Sequence, residues 1–97
     1  MTDAALPQLW HGPLPGRLRL EPVDPLVAVY DRASGQTHVL LAPMPQILAV
    51  LEAGPADIAA IEAQLEREHG LAPDPGNRAL LAARLEELKA LGLVERG

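Results

Sequence analysis

The sequence predicts an α+β fold in which a three-stranded antiparallel sheet is followed by three helices. Two patterns support this prediction. Short aliphatic runs separated by prolines and glycines fill the first part of the chain, and apolar residues recur every three or four positions from residue 43 onward. The first pattern is typical of strands and the second of amphipathic helices. The predicted strands are residues 17–21, 26–31 and 37–41, and the predicted helices are residues 43–53, 55–69 and 77–91.

The chain of 97 residues is short enough to predict one domain, residues 17–97. Residues 1–16 contain three prolines and two glycines and show no periodicity, which indicates an extended, partly mobile N-terminal lead-in. Trp10 lies in this segment. We expect its side chain to cover the edge of a small core rather than to bind a ligand.

The three strands are predicted from local chemistry. Residues 18–21 alternate apolar and polar side chains, and Pro22 and Pro25 are expected to turn the chain before Leu26. Residues 26–31 and 37–41 are rich in β-branched and aliphatic residues. They are separated by a polar segment that contains Gly35, which enters positive φ without a steric penalty. This arrangement predicts a β-hairpin.

Prolines and glycines also set the predicted helix ends. Pro43 and Pro45 fit only a first turn, and the Gly54-Pro55 pair is expected to end one helix and begin the next. Gly70 is expected to end the second helix and Gly92 the third. Residues 73–76 are predicted to be a loop, with Asn77 capping the third helix. The predicted buried positions are Ile47, Leu51, Ile58, Ile61, Leu65, Leu81, Leu85 and Leu88.

Residue types that carry chemistry are sparse. The three histidines are far apart, and none has a second metal ligand at helical spacing. Ser34 is the only serine, it lacks a nucleophile elbow, and cysteine is absent. The Gly12–Gly16 segment has prolines where a phosphate loop needs N–H donors. We therefore predict a binding module without catalytic activity, metal or cofactor.

Charge and hydropathy narrow the possible partners. The net charge is −5, and residues 52–97 carry nine acidic and five basic side chains. This distribution lacks the clustered Lys and Arg that nucleic-acid binding requires. No apolar run approaches the roughly 20 residues that cross a bilayer. The first residues contain no basic segment followed by an apolar one, so a secretory signal is not expected. The sequence predicts a cytoplasmic protein without nucleic-acid or membrane partners.

The third predicted strand, residues 37–41, is a candidate binding edge. In a sheet of order 1-2-3 it has a neighbour on one side only, and it carries none of the Lys or Pro residues that usually block an edge. Such an edge can accept a guest strand through main-chain hydrogen bonds. The alternative is that the lead-in or a dimer mate covers it, so the protein is expected to be a monomer or a homodimer.

Several short motifs resemble the PqqD family of peptide chaperones. They are Leu14-Pro15-Gly16, Val29-Tyr30-Asp31, the run from Ser34 to Leu40, and Leu91-Gly92-Leu93-Val94. The tyrosine, the Ser-Gly turn and the Thr-His pair are most similar to the subgroup found beside HPr-kinase-related proteins. The resemblance spans residues 14–95 and implies a fold related to winged helix-turn-helix domains.

The resemblance also implies a function and a site. Members of this family bind the leader of a ribosomally made precursor peptide as an added strand and present it to a peptide-modifying enzyme. The leader lies beside the third strand and against the third helix. Carried over to this chain, the implied peptide-binding residues are Thr37, His38, Val39, Leu40, Leu41, Leu81, Arg84, Leu85 and Leu88.

Two other hypotheses come from different classes. A winged helix-turn-helix regulator would bind DNA through its second and third helices. Against this, the third helix carries three basic residues, Arg78, Arg84 and Lys89, next to Glu86 and Glu87. A purely structural subunit would dimerise through the same edge strand.

Overall fold

The computed structural model describes residues 8–70 and 74–97, and it confirms the α+β fold. A three-stranded antiparallel sheet precedes three helices, and a two-stranded sheet joins the two ends of the described chain. The elements are β1 Trp10–His11, β2 Leu18–Val23, β3 Leu26–Asp31, β4 Thr37–Leu40, α1 Met44–Glu52, α2 Ile58–His69, α3 Pro75–Ala90 and β5 Glu95–Arg96.

The main sheet has the order β2-β3-β4. Val29 of β3 lies opposite His38 of β4, and Val27 lies opposite Leu40. Directly opposite residues share a face of the sheet, and successive residues alternate between faces. Because Val29 and Leu40 are buried, the inner face of β4 carries His38 and Leu40, while Thr37 and Val39 lie on the outer face.

One aliphatic core joins the sheet to the helices, as the low aromatic content requires. Seven of the eight predicted core side chains are buried, whereas Ile58 is half-buried at the start of α2. Leu40 of β4 and Leu81, Leu85 and Leu88 of α3 belong to the same buried cluster. The inner face of the edge strand and the apolar stripe of α3 therefore contribute to the same core.

The two ends of the described chain pair with each other and pack on the core. Trp10 is buried, which confirms that its side chain packs on the core. Its backbone pairs with Arg96 of β5 and exchanges two hydrogen bonds with Ala56, at 2.8 and 3.1 Å. Residues 10 and 11 of the predicted lead-in are thus held by β5 and Ala56, and none of residues 8–16 pairs with β4; residues 1–7 lie outside the described chain.

Pairing with Trp10 also corrects the predicted start of the second helix. Residue 55 was expected to begin that helix, but α2 begins at Ile58. Ala56 is held in an extended bridge to Trp10, so the helix cannot start before it. Asp57 then caps α2 by accepting the Ala60 N–H at 2.8 Å. At the other end, Gly70 takes the predicted left-handed conformation, with φ of 70°.

Three further predictions about Pro, Gly and Asn positions are wrong. Asp74, not Asn77, caps α3, since its carboxylate accepts the Asn77 N–H at 2.8 Å. Pro75 and Gly76, predicted as loop, lie in the first turn of α3, where proline loses no hydrogen bond. Pro22 was predicted to lie in a turn, but it lies in β2 and pairs with Val27 of β3. Of the two prolines, Pro25 alone lies in the turn.

Candidate functional site

The backbone groups of β4 alternate between β3 and solvent. The Asp31 N–H donates to the Gln36 carbonyl at 2.8 Å, which makes Asp31 and Gln36 a hydrogen-bonded pair. In an antiparallel ladder such pairs alternate with non-hydrogen-bonded ones. With the observed register, His38 and Leu40 direct their N–H and C=O groups at β3. Thr37 and Val39 therefore direct theirs away from the sheet.

No other strand of the described residues takes up these outward groups, because β4 pairs with β3 alone. The carbonyl of the next residue, Leu41, is already used, since it accepts the Met44 N–H at 3.0 Å. The open part of the edge thus consists of two residues, each with one free N–H and one free C=O. It can form up to four main-chain hydrogen bonds with a guest strand.

The opposite edge of the sheet is different. The Arg32 N–H donates to the Arg17 carbonyl at 2.9 Å, so the hydrogen-bonded pairs between β2 and β3 include Arg19 with Tyr30 and exclude Pro22 with Val27. Pro22 therefore stands at a position that faces outward, where it offers no N–H. A proline at such a position blocks strand addition. Of the two edges, β2 is blocked and β4 is open.

The side chains of β4 divide between the two faces. On the outer face, Val39 is 60% exposed, and Tyr30 of β3, on the same face, is 41% exposed. On the inner face, Leu40 is buried and His38 is half-buried. The His38 Nε2 atom is inaccessible to solvent and has no hydrogen-bond partner. Its neighbours on this face, Val29 and Leu40, are apolar and offer none.

The predicted residues of α3 also divide into two groups. Leu81, Leu85 and Leu88 are buried in the core. They can support the residues around a bound peptide, but they have almost no exposed surface with which to contact it. Arg84 is half-buried, and one of its terminal nitrogens pairs with Glu87 at 2.8 Å. Its Nε atom is buried without a partner. Among the described residues, the only other such side-chain atoms are His38 Nε2 and Gln46 Oε1.

Contacts of α3 show which of its flanks faces α2. Ala82 and Glu86 line a cleft of about 330 Å³ together with Asp57 and Ile58 at the start of α2. Arg78 forms an ion pair with Glu62 of α2. At about 100° per residue, Arg84 projects from the opposite flank. Leu80 and Leu91 share that flank and remain 44% and 40% exposed.

A buried carboxylate fixes the end of the sheet near this site. Asp31, 3% exposed, accepts two hydrogen bonds from the Arg17 guanidinium at 2.8 and 2.7 Å. The hydrogen bonds from Arg17, together with those from Ser34 and the Ala33 N–H, hold the pKa of Asp31 well below its usual range. Arg17 also donates to the Gly92 carbonyl at 3.1 Å, just after α3. We call Arg17, Asp31 and the Gly92 carbonyl the corner clasp.

The corner clasp was not predicted from the sequence, although Asp31 lies in one of the family-like motifs. An Asp followed by Ser three residues later is a local turn signal, since both side chains bond to nearby backbone or side-chain groups in turns. In the structure, Asp31 accepts the Ala33 N–H at 3.0 Å and the Ser34 hydroxyl at 2.9 Å. Nothing local to the sequence indicates that Arg17, fourteen residues earlier, supplies the countercharge.

Of the predicted site residues, the structure leaves Thr37, His38, Val39, Leu41 and Arg84 at least partly accessible. Within the described ranges, no cluster of three His, Cys, Asp or Glu side chains has the arrangement of a metal site. None of the described helices combines the length and the hydropathy that spanning a membrane requires.

Comparison of the chain with protein-family models, with curated proteins and with solved structures gives no match. The functional argument therefore rests on the geometry of β4 and α3.

Proposed function

We propose that this protein is a non-catalytic, cytoplasmic peptide chaperone similar to the PqqD family. It binds the leader of a ribosomally made precursor peptide by strand addition at β4 and presents it to a peptide-modifying enzyme. It needs no cofactor for this task. The motifs that resemble the family support the proposal from the sequence, and the accessible edge strand supports it from the structure.

The observation that carries the proposal is the contrast between the two edges of the sheet. Both edges lack a neighbouring strand among the described residues, but only one has lost a donor to proline. The outward groups of Thr37 and Val39 are free, and β4 has no lysine, arginine or carboxylate. Exposed edges usually carry such blocking features because they otherwise recruit other chains. An open edge at β4 and a blocked edge at β2 favour the recruitment of one guest strand, at β4.

The flank of α3 that carries Arg84 is the second wall of the proposed site. Arg84, with half-exposed Leu80 and Leu91 on the same flank, offers a cationic group beside apolar surface. A leader with acidic and aliphatic residues matches this surface in charge and hydropathy. We expect Arg84→Glu to weaken the binding of an acidic leader, and Arg84→Gln to weaken it less, because only the first substitution adds repulsion.

Proline substitutions on the two edges test the proposal. The labelled probes are leader segments of short precursor peptides encoded near the gene, titrated against each variant by fluorescence anisotropy. We expect Val39→Pro to weaken binding by about tenfold or more. The substitution removes an outward N–H donor and disturbs the pairing of β4 with the neighbouring residues of the guest strand. Circular dichroism should show that this variant stays folded, since the lost N–H bonds nothing within the protein.

Two matched variants complete this test. Leu20→Pro places the same residue at an outward position of β2, so it should leave peptide binding unchanged. Leu40→Pro removes an N–H directed at β3 and should lower the melting temperature. Equal binding by the parent and by a folded Val39→Pro variant contradicts strand addition at β4. A self-association that Val39→Pro abolishes, without any peptide binding, indicates instead a structural subunit that dimerises through this edge.

The competing hypothesis of a DNA-binding regulator has a separate test. Arg78 and Arg84 of α3 are already engaged by Glu62 and Glu87, which leaves less positive charge for phosphates. We expect no retention on DNA-cellulose at low salt. Strong retention that falls steeply with added salt would reverse the ranking of the two functions.

A further inference from the structure

The register of β4 defines how an added strand would meet His38. An antiparallel guest that pairs with the outward groups of Thr37 and Val39 has one residue directly opposite His38, in a non-hydrogen-bonded pair. Side chains of such a pair share a face and lie closer together than those of hydrogen-bonded pairs. The guest residue opposite His38 therefore points to the inner face, and the residues on either side of it point to the outer face.

On the inner face, one polar atom at this position lacks a hydrogen-bond partner. The His38 Nε2 atom is buried and unpartnered between apolar Val29 and Leu40. A polar atom that has lost water without gaining a partner is unfavourable, and native proteins contain few of them. Because Nε2 is closed to solvent, a guest side chain reaches it only when the His38 ring turns toward the edge, and the hydrogen bond made then would remove this cost. Such a polar side chain would therefore contribute more binding free energy at this position than at one lined only by aliphatic groups.

We infer that the leader carries an Asp or Glu at the position opposite His38, flanked on both sides by apolar residues. This inference rests on the proposed function and names the chemistry of the peptide. A carboxylate accepts a charge-assisted hydrogen bond from the imidazole, stronger than a bond between neutral groups. The flanking residues lie beside Val39, whose side chain is 60% exposed on the outer face.

A second unpartnered nitrogen supports an acidic guest. Arg84 Nε, on the α3 wall of the proposed site, can only donate, so it too requires an acceptor. A lysine opposite His38 would bring a charged donor to an imidazole and leave its own charge without a partner. The net charge of −5 opposes an acidic peptide at long range, but salt screens that repulsion beyond about 8–10 Å. The contact at His38 is local and is less affected.

Synthetic peptides of about eight residues, long enough to cover β4, test this inference. Each peptide alternates Thr and Val, is capped at both ends, and carries a single central Glu, Gln, Leu or Lys. Affinities are measured by isothermal titration calorimetry. We expect the Glu peptide to bind the parent about tenfold more tightly than the Leu peptide, with Gln between them and Lys weakest.

Variants at His38 assign this preference to one side chain. With His38→Leu, which suits the apolar inner face, the Glu peptide should lose its advantage over the Leu peptide. With His38→Gln, which keeps a hydrogen-bonding group, part of the advantage should remain. Circular dichroism checks that both variants are folded.

The outcomes separate the inference from the function beneath it. If the Glu and Leu peptides bind the parent equally, and both lose affinity with Val39→Pro, strand addition stands and the inferred carboxylate is wrong. The inference is also overturned if His38→Leu retains the full preference for Glu. If no peptide binds in a manner sensitive to Val39→Pro, and neighbouring leader segments also fail to bind, the proposed function is itself contradicted.

Discussion

At the residue scale, the buried carboxylate of Asp31 makes the fold sensitive to acid. Its two bonds from Arg17 and its bond from the Ser34 hydroxyl are strongest with the ionised form, which offers acceptors on both oxygens. The pKa of Asp31 is lowered in the folded state, chiefly by the hydrogen bonds from Arg17. The resulting stability is present above the unfolded pKa, about 3.9, and is lost as pH falls below it toward the folded value.

We therefore predict that Asp31→Asn lowers the melting temperature at neutral pH and flattens its dependence on pH below about 4. Thermal unfolding followed by circular dichroism across that range is the measurement. Glu62→Gln, which breaks the ion pair of Glu62 with Arg78 on the surface, is the matched control and should change the melting temperature less. An Asp31→Asn variant that melts like the parent at neutral pH would show that the corner clasp adds no stability.

Leucines of α3 offer a second test at the residue scale. Leu85 has no exposed surface, so Leu85→Ala should cost about 2–5 kcal/mol of unfolding free energy through lost burial and a cavity. Leu80 lies on the same helix but is 44% exposed, and Leu80→Ala should cost about 0.5 kcal/mol or less. Urea denaturation measures both values. Similar costs at the two positions would contradict the orientation of α3.

At the element scale, the start of α3 depends on Asp74. Its carboxylate satisfies the Asn77 N–H, one of the first amides of the helix that have no partner within it. We predict that Asp74→Ala costs about 0.5–2 kcal/mol, while Asp74→Asn keeps most of the stability because asparagine caps equally well. Urea denaturation of both variants decides this. A larger loss for Asn than for Ala would assign Asp74 a role other than capping.

The sequence predicted the elements better than it predicted their ends, for physical reasons. Helical spacing of apolar residues depends on the core alone, so all three helices could be found. The start of α2 depends on Ala56 pairing with Trp10, a partner far away in the chain. Pro22 looks like a turn residue locally, and only the register shows that its missing N–H faces outward. Asp74 and Asn77 are both good caps, and nothing in the sequence ranks them.

The candidate site was predictable in part for the same reasons. A strand with no blocking residue can be recognised in the sequence, and the structure places β4 at an edge. The sequence does not say which backbone groups face outward, because this depends on register. Helical spacing did predict that Leu81, Leu85 and Leu88 are buried, whereas the burial of Leu40 was not predicted. The unpartnered nitrogens of His38 and Arg84 became visible only with the fold.

At the scale of the whole molecule, the two ends of the described chain are joined. Trp10 and Arg96 pair across β1 and β5, and the Gly97 N–H donates to the Leu9 carbonyl at 3.0 Å. The Arg96 guanidinium lies 5.5 Å from the centre of the Trp10 ring and pairs with Glu86 of α3 at 3.0 Å. Because Trp10 also belongs to the core shared by the sheet and the helices, the ends should not unfold separately.

We predict from this arrangement that the domain unfolds as one cooperative unit. Trp10 is the only tryptophan, so its fluorescence reports the joined ends, while far-ultraviolet circular dichroism reports mainly the three helices. In urea, the two signals should give coincident transitions, as expected for a small two-state domain. Arg96→Ala should move both midpoints together to lower urea, because it removes the contacts with Trp10 and Glu86. A fluorescence transition that precedes the circular dichroism transition would mean that β1 and β5 detach before the core opens.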